Sequence, residues 1–111
     1  MQKTFKNLGN YWEERAVHFL TSHNYNIIAT RYKVLGGEID IIALKENKIC
    51  FIEVKYRNNI KDYEGLVTEK KLNHINLCAT KFLQKNPQYS SFVLSFELLF
   101  ITKTNLEHIL I

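Results

Sequence analysis

The sequence predicts an α/β fold: a mixed β-sheet flanked by helices, with elements in the order αβββαββ. Three observations carry this reading. Two stretches repeat apolar residues at helical spacing, five are β-rich, and the second helical stretch falls between the third and fourth strands. With 111 residues, 46% of them hydrophobic, the chain fits one domain spanning residues 1–111 that can bury a core.

The first helix is expected from about Gly9 to His23. At about 100° per residue, Trp12, Ala16, Val17, Phe19, Leu20 and His23 share one arc, which also holds Glu13, while Glu14, Arg15 and His18 lie outside it. Asn24 ends this helix and "YNIIATRYK" forms the first strand. "GGEIDIIALKENKICFIEVK" reads as a hairpin with "KENK" at its tip. "NNIKDYEGLV" is polar and loop-like. Thr68 then caps a second helix that runs to about Asn86, where Asn86-Pro87 supplies a stop. Leu72, Ile75, Ala79, Phe82 and Leu83 make its core side, and Lys70, His74, Lys81 and Lys85 line the other. "SSFVLSFELLFITK" and "LEHILI" supply the last two strands.

Composition narrows the function classes. No apolar run approaches the ~18 residues of a membrane-spanning helix, since Ser95 and Glu97 interrupt the longest. The first residues lack an apolar signal core, so a cytoplasmic location is the expectation. Cys50 and Cys78 stand far apart and off any zinc-ligand spacing with His18, His23, His74 or His108, so both read as buried reduced thiols. A net charge of +4 permits a polyanionic partner without requiring one.

The hairpin poses the chemical question. Folded about Glu46-Asn47, it sets Ile42 across from Phe51, Leu44 across from Ile49, and Asp40 across from Glu53. Directly opposed like charges destabilise an antiparallel pair. A divalent cation would remove that repulsion, because Mg²⁺ is commonly held by one or two carboxylates, waters and phosphate oxygens. It would also supply an activated water and positive charge where phosphodiester hydrolysis needs them. Lys55 shares the face of Glu53, where an ammonium can orient water or stabilise developing charge.

Asp40 followed by Glu53-Val54-Lys55 resembles the PD-(D/E)xK nuclease superfamily. More closely, the chain resembles the YraN family of predicted endonucleases, related in fold to archaeal Holliday-junction resolvases. "GNYWEERA", "GGEID", "FIEVKYR" and "VTEKK" carry the likeness in order. The resemblance implies a restriction-endonuclease-like sheet and a Mg²⁺- or Mn²⁺-dependent cleavage of DNA, branched DNA included. It implies catalytic Glu13, Asp40, Glu53 and Lys55. Asp40, Glu53 and the Val54 carbonyl would hold the metal, with Glu13 acting directly or through water. Arg57 and Lys71 would contact substrate, Glu38 would support them, and resolvase-like pairing leaves a homodimer open. Where the family commonly has Arg-Phe-Asp, this chain has Ser95-Phe96-Glu97, so a basic group near the fourth strand is missing.

Each feature has a plainer alternative. Water could screen the two acids, or a one-residue bulge could separate them. Glu38 could form a cross-strand salt bridge with Lys55 in the same register. The lysine stripe of the second helix reads as a solvated face. At the level of function, the rivals are a nucleic-acid-binding module of the same fold without turnover and a protein-interaction domain.

Overall fold

In the computed structural model, residues 11–58 and 68–111 are described. The expected helix start at Gly9 and most of the polar loop after Tyr56 lie outside them. The elements are α1 (Tyr11–Ser22), β1 (Asn26–Val34), β2 (Gly37–Lys45), β3 (Lys48–Tyr56), α2 (Glu69–Lys85), β4 (Val93–Ile101) and β5 (Leu106–Leu110), with a 3₁₀ turn at Pro87–Tyr89 before β4. The expected order αβββαββ is the observed one. The five strands lie side by side in chain order, antiparallel except for β3 and β4, which run parallel over nine residue pairs. A parallel pair cannot be joined by a tight turn, and α2 lies on the connection that returns the chain.

Alternation along the strands divides the core in two. Cys50 and Ile52 of β3 pack with Ile41, Leu99, Ala16 and Leu20 beneath α1. Ile49 and Phe51 point the other way, to Ile42, Ile75, Ala79 and Phe82 beneath α2. Each large side chain fully removed from water contributes about 1.5–3 kcal/mol, and central β3 supplies such groups to both layers. Trp12, Val17 and Phe19 join the α1 layer as their spacing predicts, but His23 is exposed, with Nδ1 2.8 Å from the Phe19 carbonyl.

The helix boundaries have local causes. The Thr68 hydroxyl accepts the Lys71 N–H at 3.1 Å, capping α2, and the Asn86 N–H bonds back to the Leu83 carbonyl at its end. Asn24 adopts φ 69° just beyond α1, a left-handed stop that asparagine tolerates. Gly36, at φ 98°, makes the β1–β2 turn. Gly37 lets α2 approach closely: a Cβ there would lie 3.0 Å from Cys78 Sγ and 3.4 Å from the His74 carbonyl oxygen. Both cysteines are buried and unpaired, as expected. No helix among the described residues is long and apolar enough to cross a membrane.

Candidate active site

The β2–β3 ladder keeps the expected register, Ile42 with Phe51 and Leu44 with Ile49, and ends at Ile41 with Ile52. One residue further, the Asp40 carboxylate accepts the Val54 N–H through Oδ2 at 2.8 Å. A side chain therefore closes the ladder where the next backbone pairing would fall, and the strands part beyond it. β1 contributes to this fork. Arg31, level with Asp40 between the Thr30–Ile41 and Tyr32–Ile39 pairs, has φ 53°, a left-handed conformation that costs an ordinary residue. Ile39 accordingly packs on the α2 side, out of step with Ile41 and Ala43 on the α1 side.

Glu53 is buried beside Asp40, and the Lys71 ammonium reaches its Oε1 at 3.0 Å. Burial, then the charge of Asp40, push the Glu53 pKa up to about 7; Lys71 opposes the shift and is outweighed. Lys55, half-buried on the same face, has its pKa lowered by burial and then by the neighbouring Lys71 charge. Burial also works against the Lys71 ammonium, but Glu53 and Asp40 prevail and raise its pKa. Two carboxylates and two ammoniums thus gather at the fork, one lysine from β3 and the other from the first turn of α2.

Glu13 approaches from α1. Its neighbour Trp12 stacks on Tyr56 at the end of β3, with ring centroids 3.7 Å apart, and Arg15 Nη1 donates to the Thr102 carbonyl at 3.0 Å. These contacts pin the first turn of α1 to the sheet. Glu13 accepts from Arg31 Nε at 3.2 Å. Burial raises its pKa, Arg31 counters, and the Asp40 charge adds to the rise. Asp40 and Glu53 are therefore brought together, while Glu13 lies within their electrostatic reach but is engaged by Arg31. Among the described residues, no three His, Cys, Asp or Glu side chains form a ready-made metal cage.

The remaining expected residues divide. Lys71 joins the site. Arg57 donates its backbone N–H to the Ile101 carbonyl and its Nη1 to the Tyr56 carbonyl, so its guanidinium folds along the strand. Glu38 is not the cross-strand partner of Lys55: β2 has already left β3, and Glu38 pairs in register with Lys33 of β1. Arg31 escaped the sequence reading, because nothing in "ATRYK" announces a left-handed residue. Glu97 is a second omission. It is completely buried on the α1 side, where it receives Tyr25 Oη at 3.1 Å and Ser95 Oγ at 2.7 Å and lies 2.7 Å from His108 Nε2. Its isolation within the apolar "FVLSFELLFI" was the available signal.

Comparison with known proteins adds the lineage. Residues 12–101 match the profile of "Uncharacterised protein family UPF0102". A UPF0102 protein of Francisella tularensis subsp. novicida is 39% identical over 105 residues, covering 92% of this chain and 90% of the relative. One of Bradyrhizobium diazoefficiens is 36% identical over 99 residues, covering 88% and 74%, and one of Sulfurihydrogenibium is 40% identical over 88, covering 78% and 75%. The matched span runs from the first turn of α1 through the end of β4 and so includes the whole fork; the chain belongs to the uncharacterised protein family UPF0102.

Proposed function

We propose that this protein is a metal-dependent endonuclease of the PD-(D/E)xK type that hydrolyses phosphodiester bonds of DNA, branched DNA included. The observation that carries the reading is the pairing of Asp40 and Glu53 at the fork, with Lys55 and Lys71 beside them. Stability alone gives no reason for it, because a buried carboxylate beside a second, partly buried one costs free energy that an apolar pair would not.

The donor set suits a hard cation. Two neighbouring carboxylates, one of them driven toward neutrality by burial and then by the other, would be relieved by Mg²⁺ or Mn²⁺. Asp40, Glu53 and the Val54 carbonyl would hold it, with Glu13 joining directly or through water once released from Arg31. When bound, such an ion supplies positive charge beside the phosphoryl oxygens and a more acidic water. Lys55 holds an ammonium of lowered pKa beside the acids, suited to orient the attacking water and steady the charge that grows on phosphate. Lys71, at the capped and electropositive start of α2, offers the phosphate a second cation.

The test is incubation with a panel of branched and linear DNAs in Mg²⁺, Mn²⁺ or chelator. Glu53→Ala and Lys55→Ala each lower metal-dependent cleavage by at least about a hundredfold while circular dichroism stays native. Equal activity in either variant removes the proposal. The Arg31–Glu13 ion pair favours one second reading, a nucleic-acid-binding module without turnover. Salt-sensitive binding with no metal-dependent product on any substrate of the panel would select it.

A further inference from the structure

Beyond the fork, a recess of about 370 Å³ opens between the end of β1 and the last turns of α2, lined by Lys33, Val34, Leu35, Lys81, Gln84 and Lys85. Among the described residues its lining has three cations and no acid. The ion pairs among the described residues join Arg31 to Glu13, Lys71 to Glu53 and His108 to Glu97, so none involves these lysines. Glu38 pairs with Lys33 in the strand register yet makes no ion pair with it. The carbonyl end of α2 contributes roughly half a negative charge, too little to offset three ammoniums.

We infer that this recess is a second phosphate-binding surface, which grips the backbone of the same DNA duplex at a distance from the scissile bond. This rests on the reading of the chain as a DNA-acting protein. α2 is the ruler. Lys71 stands at its first turn beside Glu53, and Lys85 is its last residue, a rise of roughly 21 Å at 1.5 Å per residue. At 100° per residue, Lys85 returns to within about 40° of the direction of Lys71, on the side of α2 that packs on the sheet, so the two cations emerge at opposite ends of the seam between α2 and the sheet. That spacing equals about six base pairs of duplex at 3.4 Å each. By sequence the lysines of α2 read as a solvated stripe; Lys33, brought in from β1, turns part of that stripe into a concave site whose lysines make no ion pair among the described residues.

The experiment measures affinity of the full chain for a 14-base-pair duplex in chelator, across a salt series. The pocket pair Lys33→Ala/Lys85→Ala, both exposed and outside the fork, is compared with an equal charge loss at the hairpin tip, Lys45→Ala/Lys48→Ala. The expected result is weaker binding by the pocket pair and a salt slope smaller by about 1.8, with the control pair close to the native protein. Equal slopes in the native chain and the pocket pair overturn the inference. So does an equal loss in both pairs, which would make the effect one of net charge, and so does absence of DNA binding by the native chain. Because no metal is present, binding that depends on the pocket without any cleavage elsewhere would refute the nuclease reading and leave this one standing. Cleavage with unaltered binding in the pocket pair does the reverse.

Discussion

A carboxylate sealed from water stays charged only if its surroundings replace the solvent it has lost, and Glu97 shows the replacement. Burial would raise its pKa, but hydrogen bonds from His108, Ser95 and Cys50 reverse that and lower it to about 2. The partners feel the reciprocal effect. Burial and then Glu97 push the Cys50 thiol up to about 12 and raise the Tyr25 phenol as well, so both remain protonated donors. A folded pKa below the ordinary 4.5 means that the group contributes stability above pH 4.5 and loses it as pH falls through about 2. A shift of this size corresponds to about 3 kcal/mol. Glu97→Gln should therefore lower the melting temperature at pH 6 by on the order of 10 °C. The gap between variant and native should narrow as pH falls below 4.5 and close only below about pH 2. Melting curves from pH 6 down to about pH 1.5 check both, and a gap that is constant with pH would show that the carboxylate's charge is not what stabilises.

Among the elements, α2 connects fold to site, because its first turn carries Lys71 and its middle lies on Gly37. A Cβ at Gly37 would already crowd Cys78 Sγ at 3.0 Å, and the backbone carbonyl of His74 cannot turn aside as a side chain can. Gly37→Val should cost about 1–3 kcal/mol by overpacking and, by shifting α2 from the β1–β2 turn, weaken cleavage beyond what the stability loss explains. Denaturant melts and activity assayed well below the melting temperature separate the two. The elements themselves were legible because their causes are local. Thr68 and Asn86-Pro87 bracket α2, and the apolar pairs Ile42–Phe51 and Leu44–Ile49 fix the hairpin register. From that register the proximity of Asp40 and Glu53 followed. The fork did not, since it depends on Arg31 taking a left-handed turn in a neighbouring strand and on Asp40 capping Val54, a non-local exchange with no periodic signature. The fate of Glu38 was misjudged for the same reason, and the Glu97 network joins residues from four separate stretches of chain.

Across the whole molecule the two buried carboxylates, one on each side of the sheet, act on stability with opposite signs. Glu97 withdraws its contribution as pH falls below 4.5. Glu53 has a folded pKa raised from 4.5 to about 7, so the native state binds its proton more readily than the unfolded chain. Its stabilising influence is fully present below pH 4.5 and is lost as pH rises through about 7. In chelator, stability over this range should therefore peak at about pH 4.5, with an acid limb belonging to Glu97 and an alkaline limb belonging chiefly to Glu53, to which the raised pKa of Glu13 adds. Glu53→Gln should flatten the alkaline limb and leave the acid one untouched. The proposed metal site adds a sharper expectation. A cation that binds only the folded fork stabilises it by mass action, and most strongly where both carboxylates are ionised. Millimolar Mn²⁺ should then raise the melting temperature at pH 8, do little at pH 5, and do nothing at either pH for Glu53→Gln. Calorimetry with and without Mn²⁺ at the two pH values reads this without any nucleic acid. An alkaline limb that Mn²⁺ leaves unchanged would mean that the strain between Asp40 and Glu53 is relieved by something other than a divalent cation.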